Sequence, residues 1–149
     1  MVFIFIKLII IYLMNRSSEA TSDGIYIKVL PEFVQEEDTP DGNRYLFSYT
    51  VEIINKGDEW AKLESRHWVI INADGIKEEV KGMGVVGYQP ELQPGASFTY
   101  TSYCPLDTKW GTMEGAFYLK RKNGIVFPAE IKRFYLVTPD LLKNENDER

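Results

Sequence analysis

The chain has 149 residues, 44% hydrophobic and 26% charged, which suits one domain with a single core and excludes a two-domain build. Its 22 acidic and 17 basic residues leave a formal net charge of -5 with no lysine or arginine block, so nucleic acid is not an expected partner. One cysteine, Cys104, and one histidine, His67, exclude an internal disulfide and a four-ligand Cys/His zinc centre.

From Met1 to Met14 every residue except Lys7 is apolar, and the composition turns polar at Asn15-Arg16-Ser17-Ser18-Glu19. The run is shorter than the roughly 20 residues of a transmembrane helix and carries Lys7 at its middle, so no stable membrane span is expected. A secretory signal wants its charge ahead of the apolar run, and Ser18-Glu19-Ala20 is a poor cleavage site. Residues 1–14 therefore read as an apolar extension with three alternative origins: a misassigned start upstream of Met14, a targeting segment, or an extra element packed on the domain. The expected location is the cytoplasm, with export or membrane association as the alternative if Met1–Leu13 is real.

Beyond residue 24 the sequence alternates with period two, the pattern of half-buried strands. The first candidate is Ile25 to Leu30, and Thr39-Pro40-Asp41-Gly42 then supplies a type I or II bend. Arg44 to Asn55 follows, with Tyr45, Phe47, Tyr49, Val51 and Ile53 on one face and Ser48, Thr50 and Glu52 on the other. After Lys56-Gly57-Asp58 comes Ala61 to Ile71, in which Arg66 and Trp68 share one face and Ser65, His67 and Val69 the other. Ala73-Asp74-Gly75 leads into Ile76 to Val80, and Pro94-Gly95 into Ser97 to Tyr103. Ala116 to Arg121 and Arg133 to Val137 complete about seven strands. Asn123-Gly124 accepts positive φ at both central positions, which predicts a tight hairpin between Tyr118–Lys122 and Ile125–Phe127.

No window from 25 to 139 holds helical apolar spacing without a glycine or proline. The expected fold class is all-β, a two-sheet antiparallel sandwich of immunoglobulin or fibronectin type III kind, with a small barrel as runner-up. Trp60, Trp68, Phe98, Tyr100, Phe117 and Phe134 are the expected aromatic core. The division is then 1–14, a domain over 24–139, and a polar tail over 140–149 whose end, Asn144 to Arg149, is expected to fray.

Gly82-Met83-Gly84-Val85-Val86-Gly87 has the glycine spacing of a dinucleotide fingerprint, whose glycines admit a pyrophosphate to a helix N-terminus. Pro90 and Pro94 follow too soon for that helix, and no βαβ unit surrounds the motif. A helix-free nest of backbone N–H groups remains the alternative route to a phosphate, and an ordered or partner-binding loop the favoured reading. Ser65 and His67 lie two apart on one strand, too far for a nucleophile–base pair, and no elbow motif presents the serine. Cys104-Pro105 has neither a second thiol nor a local basic cluster and reads as buried and inert. Glu36-Glu37-Asp38 with Asp41 has oxygen ligands for a hard cation but matches no cation loop, and reads as a solvated acidic turn.

Taken together, Ser65-Arg66-His67-Trp68, Gly82-x-Gly84-Val85-Val86-Gly87-x-x-Pro90, Leu92-x-Pro94-Gly95, Tyr100-x-Ser102 and Gly111-x-Met113-x-Gly115 resemble the ApaG domain family in order and spacing. The resemblance covers about residues 24 to 139. It implies a fibronectin type III-like sandwich and, without an appended domain, a small stand-alone bacterial protein associated with cobalt resistance and magnesium efflux. The hydrophobic start and longer acidic tail lie outside the motif core. The expected function is a non-enzymatic protein-binding module that influences divalent-cation (Mg/Co) homeostasis through a partner, with no catalytic residue, cofactor or resident metal. Its expected partner surface is Gly82, Gly84, Val85, Val86, Gly87 and Pro90 with Arg66 and His67. The alternative is a nucleotide or pyrophosphate-binding protein using the Gly82–Gly87 loop.

Overall fold

A computed structural model of the chain describes Phe3, Ile4, Ile6, Lys7 and residues 17–142. The origin of the apolar start and the fraying of Asn144–Arg149 lie outside the described residues. Among the described residues nine strands run in order: β1 (Ser18–Ser22), β2 (Ile25–Thr39), β3 (Gly42–Asn55), β4 (Ala61–Asn72), β5 (Lys77–Met83), β6 (Glu91–Leu92), β7 (Ser97–Leu106), β8 (Trp110–Lys120) and β9 (Val126–Val137), before a 3-10 turn at Pro139–Leu142. One sheet has the order β1-β2-β3-β7 and the other β5-β4-β8-β9 with β6 added beside β4, all antiparallel. The fold is the expected all-β sandwich. No helix among the described residues is long and apolar enough to cross a membrane.

Strand β3 shows why two sheets form. Its odd residues Tyr45, Phe47, Tyr49, Val51 and Ile53 are all buried, while the residues between them are half-buried on the other face. Burying one such side chain is worth about 1.5–3 kcal/mol, and a strand can remove this face from water only against a second sheet. The opposing sheet supplies Trp68, Phe117 and Phe134, whose rings meet edge-on at centroid distances of 6.1 and 6.0 Å around Trp68, with Tyr49 across the gap at 5.2 Å. Tyr100 joins this core, Phe98 is only partly buried, and Trp60 sits at the rim beneath Lys122, 4.2 Å from its ring, rather than inside as expected.

The hairpin at Asn123-Gly124 forms with a different turn from the expected one. Lys120 pairs with Val126, and only Gly124 takes positive φ (86°), with Gly124 N–H donating to Arg121 O and Arg121 N–H to Ile125 O. This longer loop uses one left-handed residue where the two-residue turn would need two. Arg121 fixes the same end of the molecule by donating to Glu59 O and Asp23 O while lying over the Phe127 ring. Beside it, the fully buried Asn55 donates from Nδ2 to Glu59 O (2.7 Å) and Leu92 O (3.0 Å) and accepts from Gly57 N–H at Oδ1 (3.1 Å).

Strand β4 carries the irregularity that shapes the site. Its pairing with β8 shifts between Leu63 and Ser65, so Glu64 is an extra residue. In an unbroken strand Leu63 and Arg66 would face opposite ways; the bulge lets Leu63, Arg66 and Trp68 all point between the sheets.

Candidate functional site

The segment after β5 is a strained hairpin tip. Gly84 has φ 63° in a place where a side chain would overlap the Tyr88 carbonyl, so only glycine fits. Val85 and Tyr88 exchange both backbone hydrogen bonds, each 2.8 Å, around a two-residue turn in which Val86 (φ 43°) and Gly87 (φ 84°) are both left-handed. That is the primed turn usually filled by Asn-Gly or Gly-Gly, and a β-branched residue in it is an outlier. The expected apolar pair is split: Val85 is buried, 1% exposed, and plugs the sandwich, so it offers no contact surface, whereas Val86 is 50% exposed. Met83 and Tyr88 are also exposed, and the Tyr88 ring leans on Phe98 at 6.0 Å.

The loop is tied to the Glu64 bulge. Gly84 N–H donates to Glu64 O at 2.8 Å, the Gln89 amide reaches the same carbonyl at 3.1 Å, and Leu63 N–H donates to Pro90 O at 3.0 Å. From inside, Arg66 Nη1 donates to Met83 O and Gly84 O, both at 2.9 Å, and its guanidinium lies where a Cβ on Gly82 would sit. The glycine at 82 thus admits an arginine. The loop turns carbonyls toward this cation, while the N–H groups of Gly84, Val85 and Tyr88 are spent on backbone acceptors. No helix opens at the motif: Val85–Tyr88 is a turn and Glu91–Leu92 is strand β6.

His67 points to the outer face of β4, opposite to the Arg66 side chain, in a shallow depression also lined by Ser65, Arg66, Lys81, Gly82, Met83 and Tyr118, and its Nε2 lies 3.2 Å from Glu79 Oε2. Lys77 sits 3.0 Å from the other oxygen of Glu79, and these hydrogen bonds, that of Lys77 first, hold the Glu79 carboxyl below its usual value. Cys104 is 3% exposed, and burial pushes its thiol up to about 12. The acidic residues 36–38 alternate across β2, Glu36 accepting from Asn43 and Glu37 from Gln35, and among the described residues no three His, Cys, Asp or Glu side chains gather as a metal site.

A sequence profile described as the ApaG domain matches residues 35–121. The chain belongs to the ApaG domain family. Over 123 residues, 83% of the chain, this ApaG domain is 50% identical to the Protein ApaG of Methylorubrum extorquens strain PA1, covering 95% of that protein. It is 44% identical to the Protein ApaG of Shewanella oneidensis, 83% of the chain against 98% of the relative. A solved structural-genomics X-ray structure matches with TM-score 0.78 and 44% identity over 82% of this chain and 92% of the other, and the crystal structure of the ApaA protein from Bordetella pertussis with 0.72 and 44% over 77% and 94%.

Sequence reasoning named the loop of this ApaG domain and Arg66 but missed Glu64, whose role comes from a backbone carbonyl. It placed Tyr100 in the core, quoted Tyr100-x-Ser102 as a motif and read Cys104 as buried, but did not join the three as one inward row on β7. Ser102 and Cys104, with Tyr49 of the neighbouring β3, line a cleft whose other side is Arg66, Trp68, Glu78 and Val80, between the edge strands β5 and β7.

Proposed function

We propose that this ApaG domain is a non-enzymatic protein-binding module acting in the cytoplasm, that its recognition surface is the Gly82–Pro90 hairpin with Arg66 behind it and His67 beside it, and that it influences magnesium and cobalt handling through the bound partner. Val86 carries the reading. A left-handed non-glycine residue costs roughly 1–2 kcal/mol, and a β-branched side chain in that position is half exposed, so packing inside the domain does not account for it. With exposed Met83 and Tyr88 it makes a small apolar surface on a loop braced by Arg66 and Glu64, which is the arrangement of a rigid contact patch. Val85 serves as the anchor beneath, and Pro90 fixes the return of the chain to β4.

The test is Val86→Asp. The variant should lose its partner in pull-downs from the native organism while its melting temperature stays within about 2 °C of the parent, since an exposed substitution changes stability by less than about 0.5 kcal/mol. Retention of the partner, or unfolding of the variant, would remove the loop as the recognition site.

A further inference from the structure

We propose that the open edge of strand β7 captures an extended peptide segment of a partner protein, which adds to the sheet as a further antiparallel strand and carries a basic, an apolar and an acidic residue at alternate positions along its inner face.

The sandwich is closed along one side and open along the other. At the closed side Glu130 N–H of β9 donates to Ser22 Oγ of β1, whereas β5 and β7, at the other ends of the two sheets, share no backbone hydrogen bond among the described residues. Edge strands are commonly guarded against pairing by brevity, charge or proline. β1 has five residues, β5 carries Lys77, Glu78, Glu79 and Lys81, and β9 carries Pro128, Glu130, Lys132 and Arg133. β7 is ten residues long and has no charge, and its one proline, Pro105, comes next to its end.

Hydrogen-bond alternation fixes what this edge offers. Lys56 N–H donates to Gly24 O and Asn55 N–H to Ala96 O, so the even residues of β3 bond to β2 and the odd ones to β7. On β7 the bonded partners are then Phe98, Tyr100, Ser102 and Cys104, which leaves both backbone groups of Ser97, Thr99, Thr101 and Tyr103 directed away from the sheet. These four residues are exposed, and their outward groups have no partner among the described residues. A peptide laid antiparallel here gains two main-chain bonds at each of Thr99, Thr101 and Tyr103.

Side chains decide the occupant. Peptide residues opposite Cys104, Ser102 and Tyr100 point inward, over the inner row of β5: Glu78, Val80, and Gly82 with Arg66 beside it. Glu78 and Arg66 enter none of the ion pairs among the described residues. Arg66 pairs with Gly82 and Ile70 with Glu78, so the two charges are four residues apart, roughly 13 Å, which an extended peptide spans from i to i+4. Val80 between them is only partly buried. The Glu78 charge is felt at Cys104 and that of Arg66 at Tyr100, so an antiparallel peptide meets Glu78 with its first inward residue, Val80 with its second and Arg66 with its third. A second copy pairing through its own β7 fits less well, because its Tyr100, Cys104 and Leu106 are already buried in its own core and cover nothing here. The inference does not rest on the hairpin reading, and Val86→Asp should leave peptide capture unchanged.

Amide-resolved NMR of the full chain tests it, with the end-blocked peptide Thr-Lys-Thr-Val-Thr-Glu-Thr as probe. The peptide should shift Val80 saturably and slow hydrogen exchange at the Thr99, Thr101 and Tyr103 amides at least about tenfold, while exchange at Tyr100 and Ser102, already bonded to β3, changes little. Methylating the backbone nitrogen of the peptide's third threonine, which faces Thr101, should abolish binding; methylating that of its valine, which faces away, should leave most of it. The charge-swapped peptide Thr-Glu-Thr-Val-Thr-Lys-Thr should bind severalfold more weakly, and Glu78→Lys should erase that preference. Thr101→Pro removes the central donor of the edge without touching a bond to β3 and should abolish capture; if that variant unfolds, the two methylated peptides decide. Absence of a saturable shift, equal loss with both methylated peptides, or equal binding of the charge-swapped peptide would overturn the assignment. So would a free protein that sediments as a dimer with the Thr99, Thr101 and Tyr103 amides already protected, since a second copy would then hold the edge.

Discussion

Replacing Asn55 by alanine should be among the most damaging single changes available to this domain. The side chain is fully buried and satisfies three backbone groups: the carbonyls of Glu59 and Leu92 and the N–H of Gly57. Glu59 is exposed and Gly57 half-buried, so water can replace Asn55 at those two. Leu92 is only 2% exposed, and its carbonyl would lose a partner where water does not reach. One stranded buried acceptor at about 1–3 kcal/mol, two hydrogen bonds exchanged for water at about 0.5–1 kcal/mol each, and the small cavity left behind sum to roughly 3–5 kcal/mol. Against a typical total of about 5–15 kcal/mol this is a large share, and it should lower the melting temperature by roughly 6–20 °C. Urea unfolding followed by tryptophan fluorescence gives the free energy, and amide hydrogen exchange should accelerate at Gly57 and Gly95, the latter because Gly95 N–H donates to the Asn55 carbonyl at 2.7 Å. A loss below about 1 kcal/mol would refute the premise that these bonds are buried and cooperative.

Two further outcomes follow from the geometry. Gly82→Val should expel the Arg66 guanidinium from its seat and free the Met83 and Gly84 carbonyls, destabilising by about 2–3 kcal/mol and broadening the loop amides in NMR spectra, while Gly87→Ala, where no atom lies within 4 Å, should perturb no neighbouring side chain. Cys104, raised from 9.0 to about 12 by burial, should react with a thiol reagent only on unfolding; because the unfolded thiol ionises first, stability should fall as pH rises from about 9 toward 12, and Cys104→Ser should flatten that slope. Rapid labelling of the native protein at pH 8 would contradict it.

The parts of the fold legible in the sequence were those where side chains alone decide. Tyr45 through Ile53 alternate so strongly that both strand and buried face could be read directly, and Arg66 and Trp68 were correctly placed together. Strand β1 was not foreseen because its Ser-Glu-Ala-Thr-Ser run has little apolar content; it forms through its register with Ile25–Val29. The continuation of β2 past Leu30 was hidden by Pro31, which is tolerated because the pairing with β1 ends at Val29 and leaves that edge open. Gly111 and Gly115 concealed the first half of β8. They occur within a strand because a methyl group at either would press into the carbonyl of Ile71 or His67 on β4. In the loop the glycine pattern has the spacing of a phosphate fingerprint, but its meaning is steric: Gly82 makes room for the Arg66 guanidinium of the partner strand and Gly84 for the Tyr88 carbonyl of its own turn, and neither is visible before the chain folds.

The extra residue in β4 separates two things that sequence alone treats as one. Glu64 adds no side chain to the core, and a strand lacking it would still turn Leu63 and Arg66 inward, since the bulge counts as one position in the alternation. What would vanish is the carbonyl on which Gly84 and Gln89 hang. Without Glu64 the hairpin tip would be moored to the sandwich only by Arg66, the Leu63 N–H and the buried Val85, so the stiffness of this loop can be lowered at one residue without rebuilding the domain that carries it.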